Sequence, residues 1–240
     1  MTTLLSTKPR KAVATVAIVA ASLSVAACGS SSSSSDTKSS SASSSSAAPA
    51  PAAAPANAPN ALAAIDSLTG VNTKIKLDSG FTGALTKLKL TPGVVGGAKL
   101  VNGSVVFPIT GGNVTYFKPG TVSPYVIGQI QHEGSGLSLT AGPTKVELTN
   151  FNVDPGVSRV YGDVSVNGKV AVTSAYLFTL NGTTLKPLKT KGSNAILTGT
   201  KVFVSPVAAG LLNKTFKTQA VTKDLLIGVA TIKVNTTPGD

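Results

Sequence analysis

Beyond residue 60, hydrophobic and polar residues alternate in short β-branched runs such as Thr73 to Leu77, Lys99 to Ile109, Tyr125 to His132, Thr144 to Phe151 and Val157 to Val166. A period of two puts every second side chain on one face, so these runs predict half-buried strands. Asn167-Gly168 lies between Gly162-Asp-Val-Ser-Val166 and Lys169-Val-Ala-Val-Thr173, the signature of a two-residue hairpin turn. Asn102-Gly103, Gly111-Gly112-Asn113 and Asn181-Gly182 predict further turns. Many short strands with little helix between them favour antiparallel pairing, in a sandwich or a barrel, over βαβ units.

Two segments change period. Asp78 can cap a helix whose apolar positions Phe81, Ala84, Leu85 and Leu88 follow i, i+3, i+4, i+7 before Thr91-Pro92-Gly93 ends it. Ser205-Pro206 is a second start signal, followed by the stripe Ala208, Leu211, Leu212 and Phe216. The expectation is a mainly β domain with two short amphipathic helices, each sealing an end or edge of a sheet.

The amino-terminal pattern is different. Lys8, Arg10 and Lys11 precede an apolar run from Ala12 to Val25, which closes on Val25-Ala26-Ala27-Cys28. That run is shorter than the ~20 residues a spanning helix needs. Ending in small residues before the only cysteine of the chain, it resembles a bacterial lipoprotein signal with its lipobox. The resemblance implies cleavage after residue 27 and acylation of Cys28, hence a chain anchored in the cell membrane and facing the extracytoplasmic side. Residues 30 to 60 are almost entirely Ser, Ala and Pro, a composition with too little apolar surface to form a core. They read as a tether, with an end-to-end distance of about 30 Å as a flexible coil. Residues 61–240 remain as a single β-rich domain.

Charge narrows the partners. Three of the 21 basic residues precede Cys28, so 18 face the nine acidic ones and the processed chain carries +9. This favours anionic envelope polymers or lipids. Nucleic acid is not expected, because the processed chain has one arginine, Arg159, and no tryptophan for base readout and stacking. The domain is expected to be monomeric.

Candidate chemistry concentrates in Gly128-Gln-Ile-Gln-His-Glu-Gly-Ser-Gly136, which holds the single histidine, His132. A nucleophile elbow needs glycines two residues to either side of its serine, and Ser135 has Glu133 on one side; no second histidine follows His132-Glu133 as a zinc motif requires. The thiol is assigned to lipidation and the carboxylates are scattered, so neither a metal nor catalysis is expected. On parity His132 shares a strand face with Val126 and Ile130, which predicts a half-buried imidazole bonded to backbone near a strand end. The functional alternative is a ligand contact, with Glu133 and Ser135 as accessory polar groups.

The passages Gly103-Ser-Val-Val-Phe-Pro-Ile-Thr-Gly-Gly112, Gly128 to Leu139, Ala195 to Val204 and Ala208-Ala-Gly-Leu-Leu-Asn213 resemble, in order, the HtaA-type domain of actinobacterial surface proteins. The resemblance spans about Thr73 to Val234. It implies a mostly β fold and, in members of known role, haem binding at the cell surface through a tyrosine from an early aromatic segment, supported by a histidine. His132 matches that histidine, whereas Phe81 stands where the tyrosine is wanted, and a phenyl ring cannot ligate iron. Tyr116, Tyr125, Tyr161 and Tyr176 are the possible substitutes. The leading expectation is a lipid-anchored, non-catalytic binding or structural module of the envelope without a cofactor. The alternatives are haem capture, or a lipid carrier whose sheet encloses an apolar cavity.

Overall fold

A computed structural model describes residues 59–236, and the signal segment, Cys28 and nearly all of the tether lie outside the described residues. Thirteen strands and two helices follow one another: β1 (Ala61–Ile65), β2 (Val71–Leu77), α1 (Ser79–Lys87), β3 (Thr91–Gly96), β4 (Lys99–Val101), β5 (Ser104–Pro108), β6 (Gly111–Phe117), β7 (Val126–Ala141), β8 (Thr144–Asp154), β9 (Arg159–Val166), β10 (Lys169–Asn181), β11 (Lys189–Lys191), β12 (Asn194–Val204), α2 (Pro206–Phe216) and β13 (Leu226–Asn235). A single 3₁₀ turn, Gly182–Thr184, links β10 to β11. The fold is mainly antiparallel β with two short helices, as the sequence predicts.

All pairings between these strands are antiparallel, in the order β1-β6-β7-β8-β9-β10-β12-β13-β2-β5-β4, with β3 added to β7 and β11 to β12. The run from β7 to β5 curls until its ends meet. The Thr110 amide, just after β5, donates to the Gln131 carbonyl of β7 at 2.9 Å, and the Gly97 amide donates to the Gly134 carbonyl at 3.0 Å. The sheet is therefore barrel-like, and the apolar face of each strand lines its interior.

Three expected features take another form. The run Lys99 to Ile109 is not one strand: Asn102-Gly103 makes its predicted turn between β4 and β5 and divides the run into a hairpin. Gly111-Gly112-Asn113 is no turn but the start of β6: Gly112 has φ 114°, and a Cβ there would meet the Gln129 carbonyl of β7. Thr91-Pro92-Gly93 does follow the end of α1, yet it opens β3, an outer strand where proline's missing N–H costs no ladder bond.

The helices start where predicted. Asp78 Oδ1 accepts from the Gly80 amide at 2.8 Å, and Ser205 Oγ accepts from the Ala208 amide at 3.0 Å. Leu85 of α1 and Ala208, Ala209 and Leu212 of α2 are buried, joining a core that runs from Leu68 to Val234. That core and the closed sheet lie wholly within one compact unit, Ala53–Asp240, which has the size and the single core of a self-contained domain.

A bulge reverses the phase of β7. Glu133, Gly134 and Ser135 stand opposite Asn150 alone, so the side chains turned to the interior shift from Val126, Ile130 and His132 before it to Leu137 and Leu139 after it, where Gly136 and Ser138 are buried too. Gly134 takes φ 66° there, and its amide is held by Asn150 Oδ1 at 3.0 Å. Partner strand β8 shifts with it, from Val146 and Leu148 to Phe151 and Val153.

Candidate functional site: an apolar cavity within the barrel

The inward side chains of β2, β5, β7, β8, β10, β12 and β13 do not meet at the centre. They surround a cavity of about 390 Å³, walled by residues such as Ile75, Phe107, Ile130, Phe151, Val202 and Ile232. This volume is near the lower end of the ~300–1,000 Å³ typical of small-molecule sites. Among the described residues no Lys, Arg, Asp or Glu lines it. Apart from Thr200 of β12, its polar side chains fall into two sets, one deep and one at the rim.

The deep set is His132 and Thr73. His132 is 1% exposed and lies mid-strand rather than half-buried near a strand end, because Phe107 and Phe151 close over that part of the interior. Its Nδ1 is 3.3 Å from the Phe151 carbonyl and its Nε2 2.7 Å from Thr73 Oγ1. A carbonyl only accepts, so Nδ1 carries the proton and Nε2 accepts from the Thr73 hydroxyl. Burial pushes the imidazole pKa down to about 4, against the opposing pull of backbone bonds to Phe151 and Ile130. The ring is neutral at pH 7, with both nitrogens engaged.

Hydroxyl, imidazole and carbonyl stand here in the order of nucleophile, base and orienting group. A base held near pH 4 has little driving force to take a proton from an alcohol at neutral pH. The pair instead joins β7 to β2 across the interior, where the sheet closes.

The rim set comes from three loops. Leu180 donates its amide to the Ser158 carbonyl at 2.9 Å, and the Tyr125 hydroxyl points to the Leu185 carbonyl at 3.4 Å. These contacts gather residues 118–125, 155–158 and 182–185 at one end, where Ser123 and Thr183 are exposed while lining the cavity. Tyr125 lies edge-on to Tyr116 with ring centroids 5.9 Å apart, and partial burial, reinforced by Tyr116, raises its pKa.

The structure thus brings Tyr125 and His132 to one cavity and leaves the other sequence candidates off it. Ser135 is fully buried and its hydroxyl donates to the His132 carbonyl at 3.0 Å, pinning the bulge. Glu133 faces a shallow polar cleft on the outer surface with Asn150 and Asp163. There Asp163 is already engaged by Asn150 Nδ2 and the Ser174 amide, both at 2.9 Å. Phe81 packs on the core from α1 without lining the cavity. Thr73 is missed by sequence reasoning, because nothing local marks a threonine as the partner of a histidine 59 residues away.

These positions bear on haem. His132 could ligate iron only by giving up Thr73, and Phe81 is neither a ligand nor on the wall. Of the four tyrosines, Tyr125 is the one that lines the cavity, and it would have to supply any tyrosine oxygen to a haem held there; Tyr161 and Tyr176 form a tilted pair beside Arg159, whose guanidinium lies 4.6 Å from the Tyr176 ring. Among the described residues no group of three or more His, Cys, Asp and Glu side chains could hold a metal ion.

Solved structures similar to this one include the C-terminal domain of HtaA from Corynebacterium glutamicum, at 13% identity, 70% coverage of this chain, 98% of that one and TM-score 0.49. A domain-swapped dimer of a histidine-to-alanine variant of that domain is similar at 13% identity, with 65% and 87% coverage and TM-score 0.43. The haem-binding protein HtaB of the same organism is similar at 10% identity, with 72% and 96% coverage and TM-score 0.45. No protein-family model matches the sequence, and no curated protein matches it.

Proposed function

We propose that the domain is a non-catalytic binding module that holds an apolar small molecule inside its barrel, of the acyl or prenyl type that a lipid carrier handles. The supporting observation is the cavity: its wall is mainly apolar, no charged side chain among the described residues lines it, and its deep polar pair is already satisfied internally. Such a wall favours a ligand that supplies hydrocarbon, at about 0.8 kcal/mol per buried methylene, and asks for no polar partner in return. Anchoring through acylated Cys28 is part of the proposal, placing the carrier on the extracytoplasmic side of the membrane.

The test is native mass spectrometry of protein recovered from its own envelope without added lipid. A retained adduct of hydrocarbon-rich mass is expected, and it should diminish in Ala230→Leu, which adds bulk at a buried position of the wall. A bare protein, with no uptake of added acyl esters, would overturn the reading.

A second reading, haem capture, is favoured by the sequence resemblance and by Tyr125 and His132 lining the same cavity. It predicts a stoichiometric Soret band with added haemin that Tyr125→Phe removes. A titration without that band rejects it.

A further inference from the structure

We propose that the rim of the barrel is a docking surface for an anionic lipid bilayer. Large apolar side chains are exposed beside the opening: Val157 is 54% exposed on the loop that also supplies Pro155 and Ser158 to the cavity, and Ile127, 39% exposed, lies against the neighbouring Gly156. Pro124, exposed on the loop before β7, lines the cavity as well. The exposed parts of these side chains are uncovered among the described residues, and insertion into the headgroup region would bury them.

Charge around the same opening is complementary to that partner. Lys118, Arg159, Lys186 and Lys201 are exposed on or next to the three loops, and Asp154 is the one carboxylate among the loops' residues and flanks. Asp154 has a local task, accepting the Val157 amide at 3.2 Å and so shaping the turn that presents Val157. Basic residues ringing an apolar tip are the combination that draws a protein onto an anionic leaflet, each contributing within a Debye length of the surface.

The chain outside the structure argues for the same partner. The proposed acyl anchor at Cys28 is some thirty residues before β1 in sequence, and a flexible chain of that length has an r.m.s. end-to-end distance of about 30 Å, so the anchor would hold the domain near the bilayer. At the high effective concentration this creates, even a weak docking surface would be occupied much of the time. Docked mouth-down, the barrel would open towards the phase in which hydrocarbon ligands dissolve. The docking surface itself does not depend on what the cavity holds.

The experiment is vesicle co-sedimentation of residues 53–240, which lack the anchor, with phosphatidylcholine vesicles and with vesicles that also contain phosphatidylglycerol. The expected result is binding to the phosphatidylglycerol vesicles, weakened as salt rises from about 0.1 M to about 0.5 M and reduced about tenfold in the double variant Ile127→Glu, Val157→Glu. Val170→Glu serves as control, since Val170 is 70% exposed but sits beside the Asn167-Gly168 turn at the far end of β9. Circular dichroism of each variant checks folding. Absence of vesicle binding overturns the proposal. So does an equal loss in Val170→Glu. Binding retained in the folded double variant overturns it too, because that result means attraction to any polyanion without insertion at the rim.

Discussion

Lowering the pH from 7 to 4 should destabilise this domain through its one histidine. In the unfolded chain the imidazole takes up a proton around its ordinary pKa of about 6.5, whereas in the folded chain burial delays this to about 4. Between those values the unfolded state binds more protons, so stability is complete above about 6.5, falls as pH drops through the window, and loses nothing further from this group below about 4. The gap corresponds to about 3 kcal/mol, at about 1.4 kcal/mol for each pKa unit. This is a large share of the roughly 5–15 kcal/mol that holds a domain together. Urea denaturation of residues 53–240 at pH 7.5, 6, 5 and 4 measures it, with His132→Leu as reference because carboxylates titrate identically in both proteins. Wild type should lose about 3 kcal/mol more than the variant over that range. Parallel slopes, or a wild type that gains stability as pH falls, would refute the assignment of His132 as a buried neutral imidazole.

Thr73→Val removes the hydroxyl that Nε2 of His132 accepts and should cost about 1–3 kcal/mol in urea denaturation, with Thr73→Ser close to wild type. Gly96→Ala should cost distinctly more than Gly103→Ala. Both glycines have positive φ, but a Cβ on Gly96 would collide with the Gly134 carbonyl at the bulge while one on Gly103 meets nothing within 4 Å. Phe81→Tyr should leave a haemin titration unchanged, because that side chain packs on the core outside the cavity wall; a Soret band gained by this variant would contradict its placement.

Much of the fold is legible in the sequence because it is set by neighbours along the chain. Period-two alternation, the Asn167-Gly168 hairpin and the caps Asp78 and Ser205 are local features, and the structure has each of them in place. The parity argument for His132 holds up to the bulge and fails beyond it, and the glycines of His-Glu-Gly-Ser-Gly mark where. What is not legible depends on residues far apart. The Thr73 partner, the Phe107 and Phe151 rings over His132, and above all the cavity, follow from how tightly the sheet curls. Ile130, Val202 and Ile232 read identically whether a barrel is filled or hollow. The sequence resemblance points to His132 without revealing that its two nitrogens are spoken for within the fold, nor that Tyr125 is the tyrosine on the wall.

Methyl-labelled NMR with a neutral acyl ester such as methyl oleate tests the central claim most directly. The account predicts saturable shifts at methyls of the cavity wall, Ile130, Leu137, Leu197 and Ile232, with none at the exposed Leu62, Leu100 and Val170. Shifts confined to those exposed residues, or no saturable shift at all, would contradict it.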